Sequence, residues 1–520
     1  MKRILLSVVG VAFAGPLFAA LKLGVPFADG MVLQREMKVP VWGTADAGAE
    51  VSVSFAGQSV RTTAGTNGAW RVDLEPLVAS KEGRDLVVTE FSPGNQAIKQ
   101  SNNQTILHDV LVGEVWYCSG QSNTQLPLRG TNVRFRDRNG ALIAQMTDKP
   151  CVRYVKAVCE EPKYSVTPEI PPRYDVVWKK FNRKNLMPLN GFSAIGVYFA
   201  LELHSSLDVP VGIVGSYHGG TNIDAWTPTC GTASRPDLKD VLDRPLFATK
   251  EAWDAAPKEM RLSPFNGLNQ QRSVLWNSMV AAWCPMAMRG FIWYQGCHNA
   301  KEPERYCSKM HALYDGWSQM FENPGLKLCF VQLAPWGEGT IPFIQEAQAR
   351  FAAEERNASM AVINDVGNLN DIHPRDKELV VKRLAIHALK EAYGWNVRAD
   401  SPTLAKWEVK DGKFVLDFDH AEGFYVYYDS RDPEARVKEL GFEVCGTNGV
   451  WKVAGIDNFV GSRTRQGKPT SLPVVRGSRL VVSSPEVPEP VKLRYLHSHP
   501  WTGRLYSDVD LPLGAFHVGD

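Results

Sequence analysis

Residues 21–108 contain short stretches in which apolar and polar side chains alternate. The clearest stretches are residues 39–43, 50–55 and 70–74. Turn dipeptides such as Asp29-Gly30 and Asn67-Gly68 separate them. Alternation with a period of two is typical of strands that bury one face, and frequent turns join such strands into antiparallel sheets. The pattern therefore predicts an N-terminal β-sandwich over residues 21–108.

Between residues 109 and 396, apolar runs alternate with stretches of helical periodicity. The apolar runs are residues 110–118, 209–215, 289–294, 326–333 and 360–364. The helical stretches are residues 195–204, 272–283, 306–321, 343–356 and 377–393. The polar residues 301–305 are predicted to form a loop. Strands that alternate with helices favour a mostly parallel sheet with helices on both faces, so we predict an α/β domain here.

Strand patterns return between residues 397 and 520, and this region is predicted to be a second β-domain. Its strands are predicted at residues 404–409, 414–418, 423–428, 480–483 and 491–496.

Residues 1–20 have the pattern of a secretory signal peptide. Two basic residues precede an apolar stretch over residues 4–14, and small residues near Ala20 suit cleavage. An uncleaved anchor helix is the alternative, but Pro16 and the short apolar core disfavour it. We therefore expect export to the periplasm or secretion. Because the sequence has no second long apolar run, we expect no membrane insertion after cleavage.

Composition narrows the range of functions. Hydrophobic residues make up 44% of the chain and charged residues 22%, which is ordinary for a globular protein. The formal net charge of +2 gives no support for a nucleic-acid partner.

The nine cysteines are odd in number, so at least one is unpaired unless it links two chains, and Cys151 and Cys159 are candidates for a local pair. No cysteine or histidine cluster has metal-ligand spacing, and His497 and His499 are interpreted as ordinary loop histidines, so neither a metal nor another cofactor is expected.

Four polar or glycine-rich segments follow or end apolar runs of the central region. They are residues 119–123, 215–222, 293–299 and 370–374. In a parallel sheet the carboxyl ends of the strands meet at one edge, where α/β proteins bind ligands. We therefore expect these segments to form one site.

Ser122, in the sequence Ser-Gly-Gln-Ser-Asn, is the candidate nucleophile of this site. A serine hydroxyl needs a base to take its proton, and His373 is the best candidate among the eleven histidines. Asp371 lies two residues earlier, so in an extended segment its side chain points to the same side and can orient the imidazole.

Hydrolysis of an ester also needs donors for the tetrahedral oxyanion. The backbone N–H groups of Ser122 and of Gly219 or Gly220, together with the Asn299 side-chain amide, are the candidates. Each motif alone is weak, since an Asp-x-His pair is usually an ordinary loop feature. Their joint occurrence in this order favours a serine esterase or acyl hydrolase.

The order of these residues resembles that of the SGNH hydrolases, and the chain resembles the sialate O-acetylesterases over nearly its whole length after residue 20. The motifs that carry the second resemblance are at residues 29–35, 40–43, 113–116, 119–123, 219–221, 224–226, 346–348, 371–375 and 505–516.

The resemblance implies an SGNH-hydrolase (flavodoxin-like) parallel sheet with helices on both faces, flanked by N-terminal and C-terminal β-domains. It also implies removal of O-acetyl groups from sialic acids by a serine acyl-enzyme mechanism without metal or cofactor. The expected partner is an O-acetylated sialic acid or a sialylated glycan.

The sequence departs from the family pattern in two places, and the second concerns the wall of the substrate pocket beside Asn299. Thr124 stands where the family usually has Met, and Cys297 and His298 replace Glu and Ser. Gln121, His298 and Gln348 are the tentative pocket residues; a role for His298 as a second base is less favoured. Two alternatives remain open: an acetylesterase for other sugars, such as acetylated xylan, and a non-catalytic carbohydrate-binding protein.

Overall fold

The fold is given by a computed structural model, which describes most of the chain after residue 20. The described residues are 21–91, 101–127, 149–157, 166–167, 176–182, 191–260, 267–336, 339–367, 371–426, 440–460, 462–464, 471–498 and 505–519. The predicted signal peptide, Cys159 and His499 lie outside these ranges.

The described strands and helices carry the labels used below. The strands are β1 (Lys22–Leu23), β2 (Val32–Gln34), β3 (Val39–Thr44), β4 (Glu50–Phe55), β5 (Gln58–Thr63), β6 (Ala69–Leu74), β7 (Ser80–Phe91), β8 (Ser101–Gly120), β9 (Lys149–Lys156), β10 (Lys179–Phe181), β11 (Val211–Tyr217), β12 (Gly290–Tyr294), β13 (Lys327–Val331), β14 (Ala358–Ala361), β15 (Thr403–Lys410), β16 (Lys413–Asp419), β17 (Gly423–Val426), β18 (Phe442–Cys445), β19 (Trp451–Ile456), β20 (Ser462–Thr464), β21 (Ser471–Arg476), β22 (Arg479–Ser483), β23 (Lys492–Tyr495), β24 (Leu505–Ser507) and β25 (Phe516–Val518). The α-helices are α1 (Ser122–Gln125), α2 (Ala194–Leu207), α3 (Thr229–Ala233), α4 (Lys239–Asp243), α5 (Lys250–Ala255), α6 (Pro303–Met320), α7 (Ile341–Glu354) and α8 (Lys377–Tyr393).

The central sheet has the strand order β10-β9-β11-β8-β12-β13-β14. Strand β10 is antiparallel to β9, and the other neighbours are parallel. The carboxyl ends of β8, β11 and β12 therefore lie side by side at one edge of the sheet. This edge brings together three of the four segments that the sequence analysis selected.

Helices cover both faces of this sheet. Trp116 and Tyr117 are neighbours on β8, so their side chains point to opposite faces. Trp116 donates to the Tyr393 hydroxyl of α8 at 2.9 Å and packs edge-on against Phe199 of α2. Tyr117 packs edge-on against Trp317 of α6. Helices α2 and α8 therefore lie on one face, and α6 lies on the other.

The N-terminal strands are continuous with the central sheet through β8. The first half of β8 pairs with β2 and β7, and its second half pairs with β11 and β12. The buried apolar residues of both regions form a single hydrophobic cluster. The domain division at residue 108 stays a prediction, and that position lies inside β8.

Glu114 strengthens this connection at the centre of β8. Its carboxylate is fully buried and forms ion pairs with Arg35, just after β2, and with Arg289, just before β12. Burial alone would raise the pKa of Glu114, but bonds from Arg289 and Arg35 outweigh it and lower the pKa. The carboxylate therefore stays charged and joins the two regions.

The C-terminal residues form two further sheets around their own apolar cluster. One sheet has the order β15-β16-β22-β19-β18-β23-β25, and the other has the order β20-β21-β17-β24. The protein thus combines a helix-covered mixed sheet with a C-terminal β-sheet region, as the coarse outline from the sequence predicts.

Three local predictions differ from the structure. Residues 301–305 are not all loop, because α6 begins at Pro303, whose fixed φ suits the first helical position. Residues 272–283 do not form a regular α-helix: Ser273 has a φ of +62°, and Trp276–Val280 is a π-helix. The apolar run predicted at residues 360–364 is only partly strand, because β14 ends at Ala361.

Among the described helices, none has both the length and the apolar character needed to cross a lipid bilayer.

Candidate active site

A tight turn at the end of β8 positions Ser122. Gly120 has a φ of +141°, and a Cβ at this position would lie 2.4 Å from the Tyr294 carbonyl oxygen of β12. Only glycine fits this conformation and this close approach. Gln121 N–H then donates to the same carbonyl at 3.1 Å, and Ser122 begins α1. The turn therefore presents the Ser122 hydroxyl at the carboxyl edge of the sheet.

His373 and Asp371 lie beside this hydroxyl. His373 Nε2 is 2.9 Å from Ser122 Oγ. Asp371 Oδ1 is 3.5 Å from His373 Nδ1 and accepts the His373 backbone N–H at 2.9 Å. Burial lowers the pKa of His373, and although Asp371 opposes this change, the net direction is downward. A lowered pKa keeps the imidazole neutral near pH 7, so the ring can accept a proton.

Asn123 and Lys377 join the serine turn to the histidine segment, and the sequence analysis missed both. Asn123 Nδ2 donates to the Ile372 carbonyl at 3.0 Å, and Lys377 Nζ donates to Asn123 Oδ1 at 2.6 Å. Burial lowers the pKa of Lys377 to about 7. Lysine in the first turn of a helix opposes the helix dipole, and this unfavourable position was the available sequence signal.

The glycine segment after β11 lies against Ser122. A Cβ on Gly219 would lie 3.4 Å from Ser122 Cβ, so this glycine keeps the space beside the hydroxyl open. The Gly219 N–H is not free in this structure, because it donates to Gln125 Oε1 at 2.7 Å. Gly220 has a φ of +68°, and a Cβ there would meet no atom within 4 Å.

Asn299 is buried and its orientation is fixed. Its Oδ1 accepts bonds from Ile223 N–H at 3.0 Å and Gln295 Nε2 at 2.8 Å. Its Nδ2 donates to Glu302 Oε1 at 2.7 Å. Because an amide NH₂ carries two hydrogens, this bond uses only one of them.

Two of the three tentative pocket residues, Gln121 and Gln348, are buried in the structure. Gln348 is fully buried, and its amide bonds to backbone groups of Leu333, Gln295 and Val331, so it supports the sheet edge instead of lining a pocket. Gln121 is also buried, and its Oε1 accepts the Gly296 N–H at 3.2 Å.

Two of the three residues that depart from the family pattern, Cys297 and His298, lie just before Asn299. His298 is half-buried, and burial lowers its pKa. Burial also raises the pKa of the Cys297 thiol to about 12. The thiol is therefore protonated at neutral pH and does not compete with Ser122 as a nucleophile.

Comparison with known proteins identifies the family. The family model described as "Carbohydrate esterase, sialic acid-specific acetylesterase" matches residues 112–380, which is more than half of the chain. The chain belongs to this family. Ser122, Asn299, Asp371 and His373 all lie within the matched residues 112–380.

Relatives extend the likeness beyond the matched region. The sialate O-acetylesterase of Rattus norvegicus is 29% identical over 404 residues, covering 70% of this chain and 72% of the rat protein. The sialate O-acetylesterase of Homo sapiens is 28% identical over 433 residues, covering 76% of this chain and 76% of the human protein. The structure of a carbohydrate acetylesterase from Xanthomonas citri is 27% identical, covers 96% of this chain and 99% of that chain, and superimposes with a TM-score of 0.75.

In this member of the acetylesterase family, a buried ion network supports Asn299. Lys309 Nζ lies 2.8 Å from Asp224 Oδ2 and 2.6 Å from Glu302 Oε1. Burial alone would lower the pKa of Lys309, but the two carboxylates outweigh it and raise the pKa. The charged ammonium holds Glu302 in place, and Glu302 in turn holds the Asn299 amide. Asp224 belongs to the motif at residues 224–226, but Glu302 and Lys309 match no motif of the sequence analysis.

Proposed function

We propose that this carbohydrate esterase removes O-acetyl groups from sialic acids, with Ser122 as nucleophile, His373 as base and Asp371 as the residue that orients the base. The single observation that carries the proposal is the 2.9 Å contact between Ser122 Oγ and His373 Nε2 in a chain of the acetylesterase family.

The first half of the reaction acetylates the serine. His373 Nε2 accepts the proton of Ser122 Oγ while this oxygen attacks the carbonyl carbon of the acetyl ester. The carbonyl oxygen becomes the oxyanion of a tetrahedral intermediate. When the C–O bond to the sugar breaks, His373 returns the proton to the departing sugar oxygen. The sugar leaves with a free hydroxyl, and acetyl-Ser122 remains.

Water completes the cycle. His373 takes a proton from a water molecule, the resulting hydroxide attacks acetyl-Ser122, and the collapse of the second tetrahedral intermediate releases acetate and returns the proton to Ser122. Asp371 supports both halves, because a carboxylate beside Nδ1 stabilises the imidazolium that forms in each.

The Asn299 amide is our candidate for one oxyanion donor. Its second N–H is not used by Glu302, and the fixed orientation of its Oδ1 means that little reorganisation is needed during the reaction. The N–H groups of Ser122 and Gly220 are further candidates. We propose that Gly219 joins them once Gln125 releases its N–H, since Gln125 is exposed and free to turn toward solvent.

We also propose the SGNH-type fold for the central region. The parallel strands β9, β11, β8, β12, β13 and β14, the helices on both faces and the serine after β8 support it. We propose with it that the chain divides into an N-terminal sandwich, an esterase domain and a C-terminal β-domain. We also propose that the mature protein is exported.

The test compares kcat/KM on an O-acetylated sialic acid, on acetylated xylan and on a butyrate ester. We expect the sialic acid to be the best substrate and the butyrate ester to be poor, because a pocket fitted to acetyl has no room for two more methylenes. Ser122→Ala should abolish turnover and labelling by a serine-reactive phosphonate. Ser119→Ala, three residues earlier and still within β8, is the matched control and should keep both. Equal or better turnover of xylan would leave only the general esterase function.

A carbohydrate acetylesterase that acts on other sugars is the second candidate. Cys297 and His298 depart from the family pattern immediately before Asn299, and the Xanthomonas citri relative is described as a carbohydrate acetylesterase. Replacing His298 with Ser separates the two functions. If His298 sets the sugar preference, His298→Ser should change the ratio of the two kcat/KM values while leaving turnover of a small acetate ester intact.

A further inference from the structure

Two histidines and one glutamate that are far apart in the sequence meet where the C-terminal sheet contacts α7. Glu346 lies on α7, His517 on β25, and His497 two residues after the end of β23. His497 Nε2 is 2.7 Å from Glu346 Oε1, and His517 Nδ1 is 2.7 Å from the same oxygen and 2.8 Å from Oε2. The candidate ligand atoms of all three side chains lie within 4.8 Å of one another.

The surrounding structure holds these side chains in place. Strands β23 and β25 pair in register, so Arg494 lies opposite His517. The Phe343 ring packs edge-on against both imidazoles, at 5.1 Å from the His497 ring and 6.2 Å from the His517 ring. The three side chains also differ in exposure: 4% for His497, 20% for Glu346 and 48% for His517. The cluster is therefore pre-positioned and is open to solvent on the His517 side.

We propose that Glu346, His497 and His517 form a binding site for a divalent metal ion of the zinc class, which links the C-terminal sheet to α7. Two imidazoles and one carboxylate are a ligand set that zinc accepts, with water in the fourth position. Tetrahedral coordination at about 2.0–2.1 Å places ligand atoms roughly 3.4 Å apart. Each histidine nitrogen, now 2.7 Å from Glu346 Oε1, then needs to move only roughly 0.7 Å away from it, which small side-chain rotations supply.

The proton balance of this site is favourable. In the metal-free protein both histidines are placed to donate an N–H to Glu346, and on metal binding each ring carries its proton on its other nitrogen. A neutral imidazole makes this change by switching tautomer, so no net proton is lost.

A surface groove reaches His517 and gives water access to it. Glu304, Phe343, Arg350 and Phe516 line this groove. The Arg350 guanidinium, which also lines this groove, is directed to the Cys307 sulfur and to Glu354, 3.8 Å away.

A second cluster in the described residues provides a matched control. Cys307, His311 and Glu354 also bring ligand atoms within 4.8 Å of one another. Arg350 bonds to the Cys307 sulfur, however, and a guanidinium in contact with a candidate ligand disfavours a cation there. Metal binding at this second cluster would involve a thiolate, whereas binding at the proposed site would not.

The experiment titrates the chelator-treated full chain with Zn²⁺ by calorimetry and with Co²⁺ by absorbance. We expect one equivalent of Zn²⁺ and a Co²⁺ spectrum without a thiolate charge-transfer band. His517→Gln and Glu346→Gln should each weaken binding by at least about a hundredfold. The control His311→Gln should bind as the unchanged protein does. Circular dichroism checks folding, and His517 is sufficiently exposed for its replacement to be tolerated.

Thermal stability provides a second readout that does not depend on esterase activity. Zn²⁺ at about 100 times its Kd should raise Tm by roughly 3 °C, and His517→Gln should abolish this rise. If the protein binds no Zn²⁺, the proposal is wrong. It is also wrong if binding survives both His517→Gln and Glu346→Gln, or if binding gives a thiolate band that His311→Gln removes.

Discussion

Replacing the buried Lys377 with methionine tests the electrostatics beneath the active site. Lys377 is the first residue of α8, its side chain is fully buried, and its ammonium lies 5.1 Å from the centre of the Tyr294 ring. Burial is the main cause that lowers its pKa from 10.5 to about 7, while the Asp371 carboxylate acts in the opposite direction. Methionine keeps the length of the side chain and removes the titrating group.

The lowered pKa has a calculable effect on stability. A change from 10.5 to about 7 corresponds to about 5 kcal/mol, since each factor of ten in the proton affinity is worth 1.36 kcal/mol. Between about pH 7 and pH 10 the unfolded chain holds a proton that the folded chain has lost. The free energy of unfolding should therefore rise by about 1.4 kcal/mol per pH unit in this window, and this stabilisation is lost as the pH falls toward 7.

Lys377→Met should lack this dependence on pH. The variant also loses the bond to Asn123 Oδ1, and leaving such a buried acceptor unpaired costs about 1–3 kcal/mol at every pH. The free energy of unfolding of the variant should therefore come closest to that of the unchanged protein at pH 7. For each pH unit above 7, the variant should fall behind by about a further 1.4 kcal/mol.

Urea unfolding followed by tryptophan fluorescence at pH 7, 8 and 9 measures these slopes. Lys382→Met is the matched control, because Lys382 lies on the same helix, is half-exposed and pairs with Glu378 at the surface. We expect the control to follow the unchanged protein. If Lys377→Met also follows it, with parallel lines across the three pH values, the argument from burial is refuted.

Four other predictions concern the reaction itself. Ser122→Ala and His373→Ala should each lower kcat by about a thousandfold or more, and the double variant should lose little beyond that; additive losses would mean that the two do not act as a unit. Asn299→Ala should lower kcat by about a hundredfold with little change in KM, whereas an effect on KM alone would place it in sugar binding. Gln125→Ala should raise kcat/KM by freeing the Gly219 N–H, and an unchanged value would show that this bond does not limit the reaction. In Lys377→Met the acid limb of the kcat/KM profile should move to higher pH, because Lys377 is among the groups that lower the pKa of His373, and an unmoved limb would contradict this.

The sequence predicts the elements whose pattern is strong and local. The helix over residues 377–393 and the strand over residues 50–55 have the same bounds in the structure, because their apolar spacing alone identifies them. The sequence analysis also expects Ser122 and His373 in one site, and they lie 2.9 Å apart, although His373 follows the end of β14 by twelve residues. The role of each residue in the reaction remains a proposal.

Other features depend on contacts that no local pattern encodes. Gln348 matches a family motif and is fully buried, where it bonds to backbone groups. The bond from Gly219 to Gln125 depends on how two turns approach each other. Glu346 and His517 are separated by 171 positions, so their contact has no spacing that a sequence pattern can register.

Strand β8 makes the nucleophile part of the same folding unit as the N-terminal sheet. One uninterrupted stretch of backbone pairs with β7 at its beginning and ends at the turn that presents Ser122. A fragment that begins at residue 109 would lose the half of this strand that pairs with β7, and would leave the Arg35 partner of Glu114 behind. The proposed N-terminal sandwich and esterase domain therefore share a strand and an apolar cluster. We expect these two regions to unfold together, whereas the C-terminal sheets have an apolar cluster of their own.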